Sequence, residues 1–251
     1  MEYTRLSESV KIKTVSETDK EGVFEVDGLY SGYGLTVGNA LRRVLLSSLP
    51  GACVTQIKIK NVKHEFTTID GVMEDIVEIA LNMKKVRFAF HADEPQVLTI
   101  DVKGEKEVTA GDIKANAQVE VINPEAHIAS ITDKKTEFSM ELTVEKGLGY
   151  VPVEARKVEK LPVGVIAIDA IFTPVTNVNF VVDNMRVGER TDFNKVKLTI
   201  ETDGSIKPSV ALHKAANILK DHFAKVAEVV EVAGEPEAEA EEEAPKKKGK
   251  K

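Results

Sequence analysis

The sequence predicts an α+β protein, and three observations carry that prediction. Residues 86–173 hold short β-rich runs separated by Gly, Pro, Asp and Asn with no helical period between them. That is the pattern of an antiparallel or mixed sheet and not of alternating βαβ units. On either side, residues 32–51 and 208–230 carry apolar side chains at helical spacing. After Gly234 the chain turns acidic and rich in Ala and Pro, then basic at 246–251. Such a composition cannot build a core and predicts a disordered charged tail.

The bulk numbers narrow the class further. With 42% hydrophobic and 30% charged residues, the 251-residue chain has the composition of a soluble globular protein long enough to bury a core. Its net charge of −7 argues against a folded body that binds nucleic acid broadly by itself. No apolar run is long enough for a membrane span, and residues 1–5 hold no apolar signal core, so a cytoplasmic protein is expected. Its single cysteine, Cys53, excludes an internal disulfide framework and reads as a small buried hydrophobe.

In chain order, residues 10–15 and 23–26 alternate apolar and polar side chains, and Asp19-Lys20-Glu21-Gly22 reads as the turn of a hairpin between them. A helix follows. Gly32 and Gly34 make a flexible lead-in, Thr36 is its expected cap, and Val37, Ala40, Leu41, Val44 and Leu45 form one apolar stripe. Pro50-Gly51 stops it. Arg42, Arg43 and Leu46 lie off the stripe, either as a solvated flank or as a second surface. Strands are expected at 54–59 and 64–67, and helix again from Val72, with Ile76, Ile79, Ala80 and Met83 on its stripe. Glu74, Asp75 and Glu78 sit at its N-terminal end and Lys84 and Lys85 at the other, each sign favourable to the dipole.

Further strands are expected at 86–90, 97–102, 119–122, 127–131, 138–144, 163–172, 179–187 and 196–202. The last helix should start near Pro208-Ser209, a position that suits proline, although Lys207 stands where an Asp-like cap is usual. Leu212, Ala215, Ala216, Leu219, Phe223, Val226 and Val230 make its stripe. So long a stripe exceeds what one small sheet covers and predicts packing on another helix, with a second chain as one source.

Motifs that carry chemistry are mostly missing. The five histidines are scattered, with no Cys-x-x-Cys or His-x-x-x-His, and there is no Gly-x-Ser-x-Gly elbow. Glycines 32, 34 and 38 miss the dinucleotide spacing and are followed by no Lys-Ser/Thr, so they read better as easing a strand into a helix than as a phosphate cradle. Asp169 lies in the apolar run 165–171, where a paired strand carboxylate is commoner than a catalytic one.

The stretch Gly-Tyr-Gly-Leu-Thr-Val-Gly-Asn-Ala-Leu-Arg-Arg-Val-Leu-Leu-Ser-Ser-Leu-Pro-Gly at 32–51 resembles the signature helix of the bacterial DNA-directed RNA polymerase alpha-subunit family. So do His64-Glu65-Phe66, Gly71-Val72 with Glu74-Asp75-Ile76, Gly149-Tyr150-Val151-Pro152, residues 169–174 and Arg186-Val187-Gly188-Glu189-Arg190-Thr191-Asp192, in family order over residues 1–230. The resemblance implies a discontinuous dimerisation subdomain of residues 1–50 and 173–232, built of a sheet and two long helices. A β-rich subdomain, 51–172, is inserted in it, and the charged tail, 233–251, follows.

The resemblance also implies a homodimer held by Val37, Leu41 and Leu45 of the first helix and Leu212, Leu219, Phe223 and Val226 of the last. Arg42, Arg43 and Leu46 would contact the β subunit, and Arg190 and Asp192 a surface facing β or β′. The implied role is a non-catalytic assembly scaffold of a nucleotidyltransferase, recruiting β and β′ for DNA-templated transcription. It would have no cofactor, metal, membrane contact or small-molecule substrate of its own, and would reach DNA only through the assembled enzyme. The family usually continues into a small DNA-contacting C-terminal domain, whereas this sequence stops at Lys251, with that domain either absent or truncated, so promoter contact is not carried over. The rival reading is a free-standing nucleotide-binding enzyme that uses residues 32–38.

Overall fold

A computed structural model describes residues 9–156 and 162–229. It opens with the expected hairpin, β1 (Lys11–Glu17) and β2 (Glu21–Leu29), paired antiparallel from Lys11↔Asp27 to Glu17↔Gly22. Helix α1 (Tyr33–Ser47) and strand β3 (Pro50–Ile59) follow. The helix starts ahead of Thr36. Gly32, at φ 87°, turns the chain in the left-handed region that glycine tolerates, and a side chain from far along the sequence supplies the cap.

The run 64–67 is a turn and not a strand: Thr67 Oγ1 donates to the His64 carbonyl at 2.7 Å, and Phe66 is left exposed. Helix α2 (Ile76–Met83) begins later than Val72 because Asp75 is its cap, its carboxylate accepting from Glu78 N at 2.7 Å. Val72 instead bridges to Ile131.

The middle of the chain is strand-dense, as expected. It holds β4 (Phe88–Phe90), β5 (Gln96–Lys103), β6 (Lys106–Thr109), β7 (Ile113–Lys114), β8 (Val119–Val121), β9 (His127–Ile131) and β10 (Glu137–Leu148). Then come β11 (Tyr150–Val151), β12 (Val165–Ala167) and β13 (Ala170–Ile171). Strands β6, β7 and β11 are too short for alternation to register in the sequence. The single run expected at 163–172 is broken at Asp169, whose carboxylate turns to Lys84 and Val153 N. The long hairpin β14 (Val175–Val187) and β15 (Arg190–Thr202) leads into α3 (Pro208–Ala227).

Two sheets result, in the orders β1-β2-β15-β14 and β12-β3-β10-β5-β7, with three small two-stranded pairs. Each has its own core. Helices α1 and α3 cover one face of the first sheet, enclosing Phe24, Leu41, Leu45, Leu49, Leu198, Ile200, Ala211 and Ala215. Helix α2 packs Ile76, Ile79 and Met83 on Ile57, Ile100, Phe138 and Leu142 of the second and on Ile128 of β9. The two cores meet where Gly51 and Gly147 pair across β3 and β10 beneath Phe172, whose carbonyl lies on Gly51 and whose ring lies on Gly147; a Cβ on Gly147 would come within 2.6 Å of that ring. Arg87 and Asp203 add a 3.9 Å ion pair across the same joint.

The approach to α2 is fixed by a buried carboxylate. Glu74, read from sequence as a dipole-favouring acid, is 7% exposed and accepts from Ser130 N at 2.6 Å and Ser130 Oγ at 3.0 Å. His127 joins the two sides, with Nε2 2.9 Å from Glu74 and Nδ1 3.0 Å from Glu107. The Glu74 bond, the larger cause, and the Glu107 bond raise the imidazole pKa above its ordinary value against partial burial. Burial pushes the Glu74 carboxyl up, but the bonds from Ser130 N, His127 and Ser130 Oγ prevail and hold it below the usual range.

A histidine whose folded pKa is raised contributes stability that is complete below its unfolded pKa of about 6.5 and vanishes as pH rises through the folded value. Urea midpoints of the native protein and His127→Gln should therefore differ most below about pH 6.5 and converge in mild alkali. A gap that widened with rising pH would contradict this arrangement.

Candidate functional site

Among the described residues, the distinctive surface is the pair α1 and α3. Helix α1 reaches the first sheet at glycine distance. A Cβ on Gly34 would lie 2.6 Å from Val182 Cγ1, and one on Gly38 2.6 Å from the Phe180 ring. These glycines let the helix backbone close on β14; they are packing residues and not the flexible lead-in that the sequence suggests. Asn194, on β15 and 7% exposed, accepts from Gly32 N at 2.8 Å and Gly34 N at 3.3 Å. The amides that a phosphate would need are thus already engaged, which removes the structural basis for a nucleotide cradle at 32–38.

The opposite flank of α1 is open. Arg42, Arg43 and Leu46 are all exposed. They are not equivalent. Arg42 is turned back on its own chain, donating to Asn39 Oδ1 at 2.9 Å with its guanidinium carbon 5.7 Å from the centroid of Phe180. Among the described residues, no hydrogen bond or ion pair engages the Arg43 guanidinium; only its carbonyl is used, by Ser47 Oγ. Gly149 lies beside the end of this helix, where a Cβ would sit 3.5 Å from the Ser47 carbonyl. Its neighbours Leu148, at the end of β10, and Tyr150 on β11 are both exposed, as Leu46 is.

The apolar stripes divide between inside and outside differently from the sequence expectation. Leu45 is 0% exposed and Leu41 is buried with it in the chain's own core, so neither is available to a second chain; their sheet and α3 already cover them. Val37, Leu212 and Leu219 are half-buried at the rim of that core. Phe223 and Val226 are 65% and 67% exposed. The reason is geometric: Ala211 and Ala215 bring the first half of α3 onto the sheet, and every residue from 220 to 229 lies in the open. Val230 and the tail at 233–251 lie outside the described residues.

Arg190 and Asp192 are exposed and bonded to each other, with Arg190 Nη2 2.7 Å and Nε 3.0 Å from the carboxylate. The guanidinium also stacks over Tyr30 at 4.9 Å and Phe193 at 5.4 Å. The sequence placed these two residues on one surface; the aromatic floor beneath them joins Phe193 of β15 to Tyr30, which lies just past β2 and has no local signal. Asp169 is similarly accounted for: its bond to Lys84 Nζ at 2.9 Å, then that from Val153 N, hold its carboxyl below the ordinary value. The Cys53 thiol is pushed up to about 12 by burial and is inert at neutral pH.

Among the described residues, no three His, Cys, Asp or Glu side chains are grouped to hold a metal, and no helix is long and apolar enough to cross a membrane. What the sequence could not show is how the two helices begin. Asn194 caps α1 from 160 residues away, and Glu17 caps α3 from 192 residues away, accepting from Ser209 N at 2.9 Å.

Comparison with known proteins gives a consistent answer. Residues 57–173 match the model of the RNA polymerase Rpb3/RpoA insert domain. The DNA-directed RNA polymerase subunit alpha of Symbiobacterium thermophilum is 47% identical over 238 residues, covering 94% of this chain and 75% of that protein. Those of Alkaliphilus oremlandii and Moorella thermoacetica are 48% and 50% identical, over 85% and 86% of this chain and 67% and 69% of theirs.

The glycine contacts give a sign that can be measured. In an exposed helix Gly→Ala stabilises by about 1 kcal/mol. Gly38→Ala should instead destabilise by ~1–3 kcal/mol in denaturant titrations, because the added methyl meets the Phe180 ring. A stabilised variant would show that the helix is not held at this distance.

Proposed function

The chain belongs to the DNA-directed RNA polymerase alpha-subunit family, and on that premise we propose that it is the homodimeric scaffold on which the β and β′ subunits assemble. One observation supports this reading above the others. The helix pair α1 and α3 offers two separate surfaces, the uncovered end of α3 with Phe223 and Val226 exposed and an open arginine flank at Arg43 and Leu46.

The uncovered end of α3 suits a second copy. In a two-fold interface each contact occurs twice, so Phe223 and Val226 of both chains become buried together, at about 1.5–3 kcal/mol per side chain fully covered. Leu212, Leu219 and Val37 at the rim extend that seam. Leu41 and Leu45 act from beneath by setting how α1 and α3 pack on each other.

The β subunit is assigned to the Arg43 and Leu46 flank. A guanidinium with no partner among the described residues can meet a carboxylate or backbone carbonyl of the incoming subunit without first breaking a bond. Arg42, already bonded to Asn39, contributes mainly stem and stacking surface. The Arg190–Asp192 pair on its aromatic floor is a rigid platform assigned to a large subunit, β or β′. Nucleotidyl transfer belongs to those subunits, and this chain contributes geometry only. DNA is reached through the assembled enzyme.

Two outcomes test the reading. The isolated protein should scatter light as a dimer at micromolar concentration, and Phe223→Asp should shift it to monomer with its circular dichroism unchanged; a native monomer would overturn the dimer. Arg43→Ala should leave folding and self-association intact but lower affinity for the β subunit by ~1–4 kcal/mol in a pull-down titration. Unchanged capture would mean that β binds elsewhere.

A further inference from the structure

We propose that Asn194 is a positioning residue for assembly: its side chain fixes the N-terminal end of α1 and thereby the direction in which Arg43 and Leu46 are presented. The inference rests on the scaffold reading above for its consequence, but its structural half stands alone.

An α-helix leaves its first backbone N–H groups without intrahelical partners, and a side chain just before the helix usually accepts one of them. Here that position is Gly32, which has no side chain to offer. The acceptor comes instead from β15. Asn194 Oδ1 takes both the Gly32 and the Gly34 N–H, while its Nδ2 donates to Asn184 Oδ1 on β14 at 3.2 Å. The amide is 7% exposed, so each of these bonds is made away from competing water. Asn184 and Asn194 face each other in register, which orients the acceptor oxygen toward the helix.

Packing reinforces the bonds. A Cβ on Gly34 would stand 3.0 Å from Asn194 Cβ and 2.6 Å from Val182, so the helix end rests against the very residue that caps it. Asn194 is itself aimed by a bulge in the adjoining strand. The β15–β2 register shifts between Asn194 and Val196, opposite Gly28, which adopts a φ of 76°.

The helix conveys this placement outward. Arg43 lies about 15 Å along the axis from the capped end, so a tilt of ~10° there moves it ~2–3 Å. That displacement is larger than hydrogen-bond geometry allows. An acceptor on β15 thus sets a surface that it does not itself touch.

The experiment compares Asn194→Ala, Asn194→Asp and the milder Asn184→Ala with the native dimer. Amide hydrogen exchange is read at Gly32 and Gly34, and affinity is read for the β subunit. Asn194→Ala should accelerate exchange at those two amides by about tenfold and weaken β binding by a similar factor, since one cap is lost. Asn194→Asp should restore both, because a carboxylate accepts the same two N–H groups, suits the positive helix end, and is held in place once the Asn184 amide turns over to donate to it. Asn184→Ala should move both readouts in the direction of the alanine variant, by less, and it keeps the test decisive if Asn194→Ala does not fold.

Unchanged exchange at Gly32 and Gly34 in Asn184→Ala and Asn194→Ala would overturn the cap. Faster exchange with native β affinity would overturn the positioning role. Equal loss of β affinity in the alanine and aspartate variants would do so as well. If Arg43→Ala bound β normally, the assignment of β to this flank would fail, yet the exchange result would still decide the cap.

Discussion

At Gly34 and Gly38 the backbone of α1 lies against Val182 and Phe180 with no room for a Cβ, and that distance governs the rest of the first sheet's covered face. Close approach on the β14 side leaves Leu41 and Leu45 directed into the core, where α3 meets them through Ala211 and Ala215. Small residues on both helices bring the layers together; larger ones would lift α1, reopen the core and turn Arg43 and Leu46 to a new direction. The same closeness puts the helix end within reach of Asn194. Packing and capping are therefore one constraint, imposed by glycine on one side and by a strand amide on the other.

Helical period and strand alternation revealed the element types well, because they depend on burial that is local in sequence. The β1–β2 hairpin, α1, α3 and most of the middle strands were legible on that basis. Boundaries were less so. Thr36 looked like the natural cap of α1, and nothing near it marks Asn194 as the acceptor. The α2 start at Val72 was plausible by period, yet Asp75 decides it by accepting from Glu78 N, and the buried Glu74 fixes the approach through Ser130 and His127 on β9. The 64–67 run alternates like a strand but closes on itself as a turn.

For the candidate surfaces, residue type was legible and exposure was not. Arg42 and Arg43 are adjacent and identical in sequence, and only the Asn39 and Phe180 contacts separate them. Leu45 and Phe223 belong to equally regular stripes, but one is sealed in the chain's own core and the other lies in the open. Periodicity says which residues share a face; it cannot say where the covering sheet ends. That limit is set by the length of β2 and β15 relative to the 20 residues of α3. The family resemblance supplied what spacing could not, a reason for apolar side chains to remain uncovered.

Both helices that form these surfaces take their caps from the other half of a discontinuous unit. Glu17 on β1 accepts from Ser209 at the start of α3, and the Ser209 bonds hold its carboxyl below the ordinary value. Asn194 on β15 serves α1. Residues 9–50 alone would leave α1 uncapped, and residues 173–229 alone would leave α3 so. The surfaces come into being only when the two segments have closed on each other, across the loop that contains the second sheet. Loop-closure cost grows slowly with length, so a large insertion is tolerated there, provided that its ends leave side by side. The Gly51–Gly147 pair under Phe172 meets that condition. A body attached through such a joint can change in its own loops and strands without moving α1 or α3, because neither cap and neither glycine contact passes through it.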